Sequence, residues 1–317
     1  MYLSFYGFRE EPFRLTPDPR FLHLAEPHRA ALSRLVGGVL LRKGIIVAAG
    51  PVGTGKTTLL HATLHLLAAQ SAHKGQIATA FLLNPTLSRE ELLEAILEEF
   101  EVSCPPAASK PRRLTALHQM LLDMQRRGGT AVLIVDDAQL LTLELLEEIR
   151  LLNNTDSYHE KLLQIILSGQ PELLTTLARP ELRALQQRIA GRCHLRALSA
   201  AETRAYIAER MHAAGLRGPS PFPGPALEQV RHWSNGVPRL INLICDGCLT
   251  IGSTSQRKQI GPDIVEEAAA ELGYADPLSA EPARSPLADF PGTAKPPKSP
   301  VDLRIEAMRQ GRTTARE

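Results

Sequence analysis

Tryptophan occurs once in this chain of 317 residues, and aromatic residues make up only 4% of it. That content argues against base-stacking platforms as its main device. Four cysteines in a chain of this length do not make a disulfide scaffold. Neither sign of charge dominates: 36 Lys and Arg stand against 34 Asp and Glu, for a formal net charge of +2. That excludes a strongly basic protein blanketing nucleic acid, but not a local basic patch. Long apolar runs are missing as well. The stretch from Gly44 to Val52 falls well short of the ~20 residues that span a bilayer. The start, Met1-Tyr2-Leu3-Ser4-Phe5, lacks the basic segment and apolar run of a signal peptide. Together these absences predict a soluble, cytoplasmic protein with no membrane span.

What is present is an ordinary globular balance, 44% hydrophobic and 22% charged, enough to bury a sizeable core. The length is that of roughly two domains. Phe5, Tyr6, Phe8 and Phe13, followed by Thr16-Pro17-Asp18-Pro19, predict a folded, turn-rich extension that docks onto something. A helix is expected from Pro27 to Leu41, and then the pattern alternates. Gly44 to Ala49, Gln76 to Leu83, Ala131 to Val135 and Leu162 to Leu167 have the character of strands. Thr57 to Ala72, Arg89 to Glu101, Arg112 to Arg127 and Leu143 to Asn153 have that of helices. Apolar strands separated by helices imply an α/β fold, a parallel sheet sandwiched by helices.

After His194-Leu195 the strand signal stops. Helices are expected over Ala200 to Ala214, Ala226 to Ser234, Pro238 to Ile251 and Pro262 to Leu272. The expected domains are thus a nucleotide-binding α/β domain at 1–197 with its N-terminal docking segment, a helical lid at 198–275, and a disordered proline-rich tail at 276–317.

Gly50-Pro51-Val52-Gly53-Thr54-Gly55-Lys56-Thr57 fits G-x-x-x-x-G-K-[ST] completely, between a buried strand and a helix. The glycines let main-chain N–H groups turn inward around an anion, and the helix that continues through Thr58 adds its positive end. Lys56 supplies a point charge to the β- and γ-phosphates of ATP, and the Thr57 hydroxyl ligates Mg²⁺. The strand Ala131 to Val135 ends in Asp136-Asp137. Asp136 is placed to hold the Mg²⁺ shell, in the Walker B manner, and Asp137 to polarise the attacking water.

These residues, with Tyr6-Gly7-Phe8, Pro12-Phe13, Leu15-Thr16-Pro17-Asp18-Pro19 and Phe21-Leu22 at the start, resemble ExeA/GspA-type AAA+ ATPases, the general secretion pathway protein A family. Asp137-Ala138-Gln139, Leu163-Gln164-Ile165, Gly169-Gln170-Pro171-Glu172-Leu173 and Asn235-Gly236-Val237-Pro238-Arg239-Leu240-Ile241-Asn242 carry the same likeness. It runs from about residue 1 to 272. The resemblance implies a sensor-1 role for Gln170, in contact with the γ-phosphate or the water. It implies an arginine finger at Arg192, before the last strand and reaching a neighbouring subunit, with Arg188 as close competitor. It implies a sensor-2 role for Arg239 on the lid. It also places Phe8 to Pro19 beside the adenine. A finger acting in trans requires a homo-oligomer, a ring or filament.

The sequence departs from the family in two respects. Asp137 stands where hydrolytic relatives usually carry Glu, one methylene longer, which predicts slow or partner-gated turnover. Secretion-type members also carry a transmembrane helix and a peptidoglycan-binding domain after the ATPase; a stand-alone form is expected here. Three uses of the motor follow from the resemblance. It can serve a secretion or envelope system, act as a DNA-associated regulator of the transposition or origin-recognition kind, or form a nucleotide-gated scaffold with little hydrolysis.

Other signals carry less. Cys245-Asp246-Gly247-Cys248 is a lone C-x-x-C on a helix, without the second pair a Zn site needs. His61 and His65 lack the Glu of a zincin. Glu144, Glu147, Glu148 and Arg150 are expected on a solvated helix face. Arg112-Arg113 and Arg126-Arg127 are weak candidates for phosphate contact.

Overall fold

The computed structural model describes residues 2–16, 25–74, 76–83, 85–154 and 160–273. The Pro17 to Leu22 part of the opening signature and the proline-rich tail lie outside the described residues. The chain divides into two compact units. One comprises 27–50 and 59–195, the other 51–58 and 196–273 together with the residues up to Glu26.

The first unit is built on a five-stranded parallel sheet. Its strands are β1 (Ile45–Ala49), β2 (Ile77–Leu82), β3 (Thr130–Val135), β4 (Leu163–Gly169) and β5 (Ile189–His194), in the order β2-β3-β4-β1-β5. Every residue of β1 and β4, and all but the first of β3, is buried, which is why these strands are mostly apolar, Gln164 and Ser168 of β4 excepted. The edge strands β2 and β5 are only partly buried.

Alternation along the strands sends Ile45, Val47, Leu133, Val135, Ile165 and Leu167 into one core. Helices α4 (Arg89–Glu99), α5 (Lys110–Arg126) and α6 (Leu143–Leu152) fill it with Leu93, Ile96, Leu117, Leu121, Leu146 and Ile149. On the other face, α2 (Glu26–Leu40) buries Leu35 and Val39, and its Ala31 carbonyl accepts from the Cys193 thiol of β5. Ser88 starts α4 with a reciprocal capping box to Glu91, and Thr142 caps α6. Two short helices, α7 (Pro171–Leu177) and α8 (Arg183–Gln186), join β4 to β5.

The second unit is helical: α9 (Ala200–Ala213), α10 (Gly224–Ser234), α11 (Pro238–Thr254) and α12 (Pro262–Glu271). Its core contains Tyr206, Ile207, Phe222, Ile241, Ile244, Leu249, Ile264 and Val265. The aromatic segment that opens the sequence belongs to this core. Helix α1 (Tyr2–Tyr6) packs on α11, and Tyr2, Phe8 and Phe13 are buried among the helical residues. Phe13 meets Phe222 edge-to-face at 6.1 Å.

Polar anchors hold the segment there. The Tyr2 hydroxyl donates to Asp246 Oδ1, and burial together with that carboxylate pushes the phenol's pKa upward. Arg210, itself buried, donates to the Pro12 carbonyl at 2.6 Å, the Arg14 carbonyl at 2.9 Å and the Tyr206 hydroxyl at 2.9 Å. The Lys258 ammonium lies 3.8 Å from the centre of the Phe5 ring.

Candidate functional site

The chain leaves β1 at Gly50, whose N–H donates to the Gly169 carbonyl of β4 at 3.1 Å. It then turns through Pro51 and Val52, both exposed, into Gly53 and Gly55, where φ is +76° and +92°. Only glycine holds such angles at little cost, and successive turns of this kind point main-chain N–H groups toward one concave side. Thr54 is fully buried, and its hydroxyl closes the turn on the Pro51 carbonyl at 2.8 Å.

Helix α3 (Lys56–Lys74) starts directly on the loop, so the positive end of its dipole faces the same region. Lys56 is 9% exposed, and its ammonium donates to the Pro51 carbonyl at 3.1 Å. Thr57 and Thr58 are half-buried in the first helical turn. A curled loop, a buried ammonium and a helix N-terminus together suit a polyphosphate.

Asp136, 3% exposed, stands at the end of β3, where its N–H bonds the Leu82 carbonyl of β2 at 3.0 Å. Asp137 is exposed and left-handed, with φ 49° and ψ 37°, a conformation Asp tolerates better than most residues. Its N–H donates to Asp136 Oδ1 at 3.0 Å. Among the described residues no group of three or more His, Cys, Asp and Glu is arranged to hold a metal ion. A buried carboxylate is an oxygen donor of the kind Mg²⁺ takes, an ion that keeps most of its waters.

Gln170 is the half-buried N-cap residue of α7, directly after β4. The structure therefore places it at the same edge of the sheet as Asp136 and Gly50, since parallel strands end together. Arg239 lies in the first turn of α11, and its N–H donates to the Gly53 carbonyl at 3.2 Å. A Cβ added at Gly53 would stand 2.9 Å from both the Arg239 Cβ and the Val237 Cγ1. The sensor-2 candidate is thus in direct contact with the phosphate loop.

The finger candidates come out differently. Arg192 does not precede the last strand but lies inside β5, level with Val47 of β1, and Arg34 donates to its carbonyl at 2.5 Å. The residue immediately before β5 is Arg188, half-buried, with an Nη1 that is buried and makes no hydrogen bond. Ile-Ala-Gly-Arg-Cys-His has weak strand character, so the sequence alone sets the strand boundary too late. Arg192 sits among cations: burial first, then Arg192 and Arg34, hold the His194 pKa below its ordinary value.

Residues 40–177 match the family model described as an AAA domain. The chain carries an AAA domain. Over 249 residues it is 39% identical to general secretion pathway protein A of Aeromonas hydrophila, across 78% of this chain and 44% of that protein. It therefore spans less than half the length of that curated relative, and the similarity expected from the sequence motifs is present. The AAA fold is shared with the Aeropyrum pernix ORC2 protein solved as ADPNP-ADP complexes, at a TM-score of 0.61 and 18% identity over 83% of this chain and 71% of that one. It is also shared with Drosophila ORC bound to DNA, at a TM-score of 0.65 and 19% identity over 84% and 65% of the two chains.

Around the AAA domain's acidic strand end, the sequence motifs leave one residue without a role. Gln139, half-buried, donates from Nε2 to Asp137 Oδ1 at 3.0 Å and accepts at Oε1 from the Gln170 N–H at 2.9 Å. The signal available in the sequence was its place two residues beyond Asp137, within one tight turn.

The remaining motifs resolve simply. Cys245 and Cys248 are fully buried core thiols, and burial drives that of Cys248 up to about 12. His61 and His65 are exposed, and His61 stacks on Phe81. The face of α6 is not simply solvated. Glu148, 12% exposed, bonds Lys110 of α5 at 2.7 Å, and Glu147 pairs with Arg150. The Phe8 and Phe13 rings are buried in the helical core. Among the described residues no helix is long and apolar enough to cross a membrane.

Proposed function

We propose that this chain is an ATPase that binds and hydrolyses Mg-ATP to drive assembly or rearrangement of a partner complex, as an accessory motor of a secretion or envelope system. The observation that carries this is the loop at 50–57, with glycines at positive φ, a buried Lys56 and α3 beginning on it. The 39% identity to general secretion pathway protein A supports the choice of system.

Magnesium, when bound, neutralises charge that develops on the phosphates. The chain's own residues do the rest. Main-chain N–H groups of 53–57 and the Lys56 ammonium bind the β- and γ-phosphates. Thr57 and Asp136 would hold the ion, and Asp137 orients water and takes its proton. Gln170 and Arg239 contact the γ-phosphate side. A cation from a neighbouring copy completes the charge stabilisation. Arg192 is the candidate from the motif, and Arg188 the one that immediately precedes β5. A ring or filament follows, because one copy then cannot complete its own site.

Calorimetry with Mg-ATP tests binding: wild type is expected to bind, and Lys56→Ala to lose most of its affinity. Unchanged binding in that variant overturns the reading. Mixing Arg192→Ala with Lys56→Ala, and separately Arg188→Ala with Lys56→Ala, tests the shared site. No recovery of phosphate release in either mixture removes the trans cation. ATP-dependent retention on DNA that falls steeply with salt would move the function to a DNA-associated regulator. Binding and assembly without phosphate release would move it to a scaffold.

A further inference from the structure

Gln139 is held by two partners of opposite kind. A carboxylate oxygen can only accept and a main-chain N–H can only donate, so Asp137 Oδ1 and the Gln170 N–H together dictate which way the carboxamide points. Reversed, it would set its carbonyl against the carboxylate.

The close fit needs Gly169. A Cβ there would stand 2.8 Å from Gln139 Oε1 and 3.2 Å from the Gln139 nitrogen. The peptide joining Gly169 to Gln170 thus bonds in two directions. Its carbonyl accepts from Gly50, where the chain enters the phosphate loop, and its N–H donates to Gln139. Through Gln139, the Asp137 carboxylate is tied to the end of β4 and so to the start of that loop.

We propose that Gln139 is a positioning residue for the Asp137 carboxylate, registering it against the main chain at the end of β4. The inference rests on the assignment of Asp137 as the group that orients water. That carboxylate is exposed and sits on a turn, so without a second hold it would sample several rotamers. A displacement of about 1 Å at such a group costs on the order of 100-fold in rate.

The test is single-turnover phosphate release by the full chain in excess over ATP, with Mg-ATP affinity measured separately. Gln139→Leu removes both bonds. Gln139→Glu is close in size and keeps the acceptor for Gln170, but turns a carboxylate toward Asp137. Both are expected to lose roughly 10- to 100-fold in hydrolysis rate, with affinity changed less than about twofold and Gln139→Glu melting as wild type does. In an Asp137→Asn background, Gln139→Leu is expected to add no further loss.

Wild-type hydrolysis by Gln139→Glu, beside an inactive Asp137→Asn, overturns the inference and leaves the proposed function standing. An additive loss in the double variant, or affinity falling in step with rate, also overturns it. Wild-type hydrolysis by Asp137→Asn, or none by the unaltered chain, removes the assignment underneath and the inference with it.

Discussion

Replacing Gly53 with alanine tests whether the phosphate loop and the start of α11 form one fitted surface. The added Cβ faces two costs. At φ +76° an L-residue other than glycine is strained by about 1–2 kcal/mol. The new carbon would also lie 2.9 Å from both Arg239 Cβ and Val237 Cγ1, closer than van der Waals contact, and overpacking of that kind costs about 1–3 kcal/mol. The sum, roughly 2–5 kcal/mol, is released if the loop shifts or the first turn of α11 moves away. Either escape breaks the bond from the Arg239 N–H to the Gly53 carbonyl.

The variant is therefore expected to weaken Mg-ATP binding at least tenfold in calorimetry and to lower the urea midpoint. Gly218→Ala is the control, because a Cβ there meets nothing within 4 Å. Gly53→Ala that binds nucleotide as tightly as Gly218→Ala would refute the argument from close approach.

Arg210→Met leaves the Pro12 carbonyl without its donor inside the helical core; urea unfolding should show a loss on the order of 3 kcal/mol, with faster proteolysis of the segment before Arg14. Glu202 is held down to about 2, first by Arg196 and then by its capping bonds at Ser199. An unfolded Glu titrates near ~4.3, so its contribution is complete above that pH and is lost as pH falls toward 2. The stability gap between wild type and Glu202→Gln should accordingly narrow across that window, and a gap independent of pH would contradict it. Chelating Mg²⁺ should weaken nucleotide binding by the unaltered chain and have little effect on a Thr57→Ala/Asp136→Asn variant; equal weakening in both would place the ion on other residues.

Strands buried on both faces were the most plainly legible. β1, β3 and β4 announce themselves as mostly apolar runs, with Gln164 and Ser168 of β4 the buried polar exceptions. Of the two edge strands, β2 keeps the readable pattern Ile-Ala-Thr-Ala-Phe-Leu, whereas β5 carries Gly191, Arg192 and His194 and was not legible. That one boundary decides whether Arg192 or Arg188 precedes the strand. The phosphate loop was readable from spacing, because its geometry demands glycine at fixed positions. The aromatic start announced that it would dock but not on what, as its partners Arg210 and Asp246 lie 198 and 244 residues away. Gln139 stayed unassigned because its role depends on Gln170, which only the sheet order brings beside it.

The link between Tyr2 and Asp246 spans 244 positions of sequence. At a synthesis rate of ~5–20 residues per second, the aromatic start of the chain waits on the order of 10–50 s before its helical hosts leave the ribosome. The sheet, finished by Leu195, has time to form in that interval while Tyr2, Phe8 and Phe13 remain bare. In a nascent chain of this design the first aromatic rings are covered only when the last helices are made.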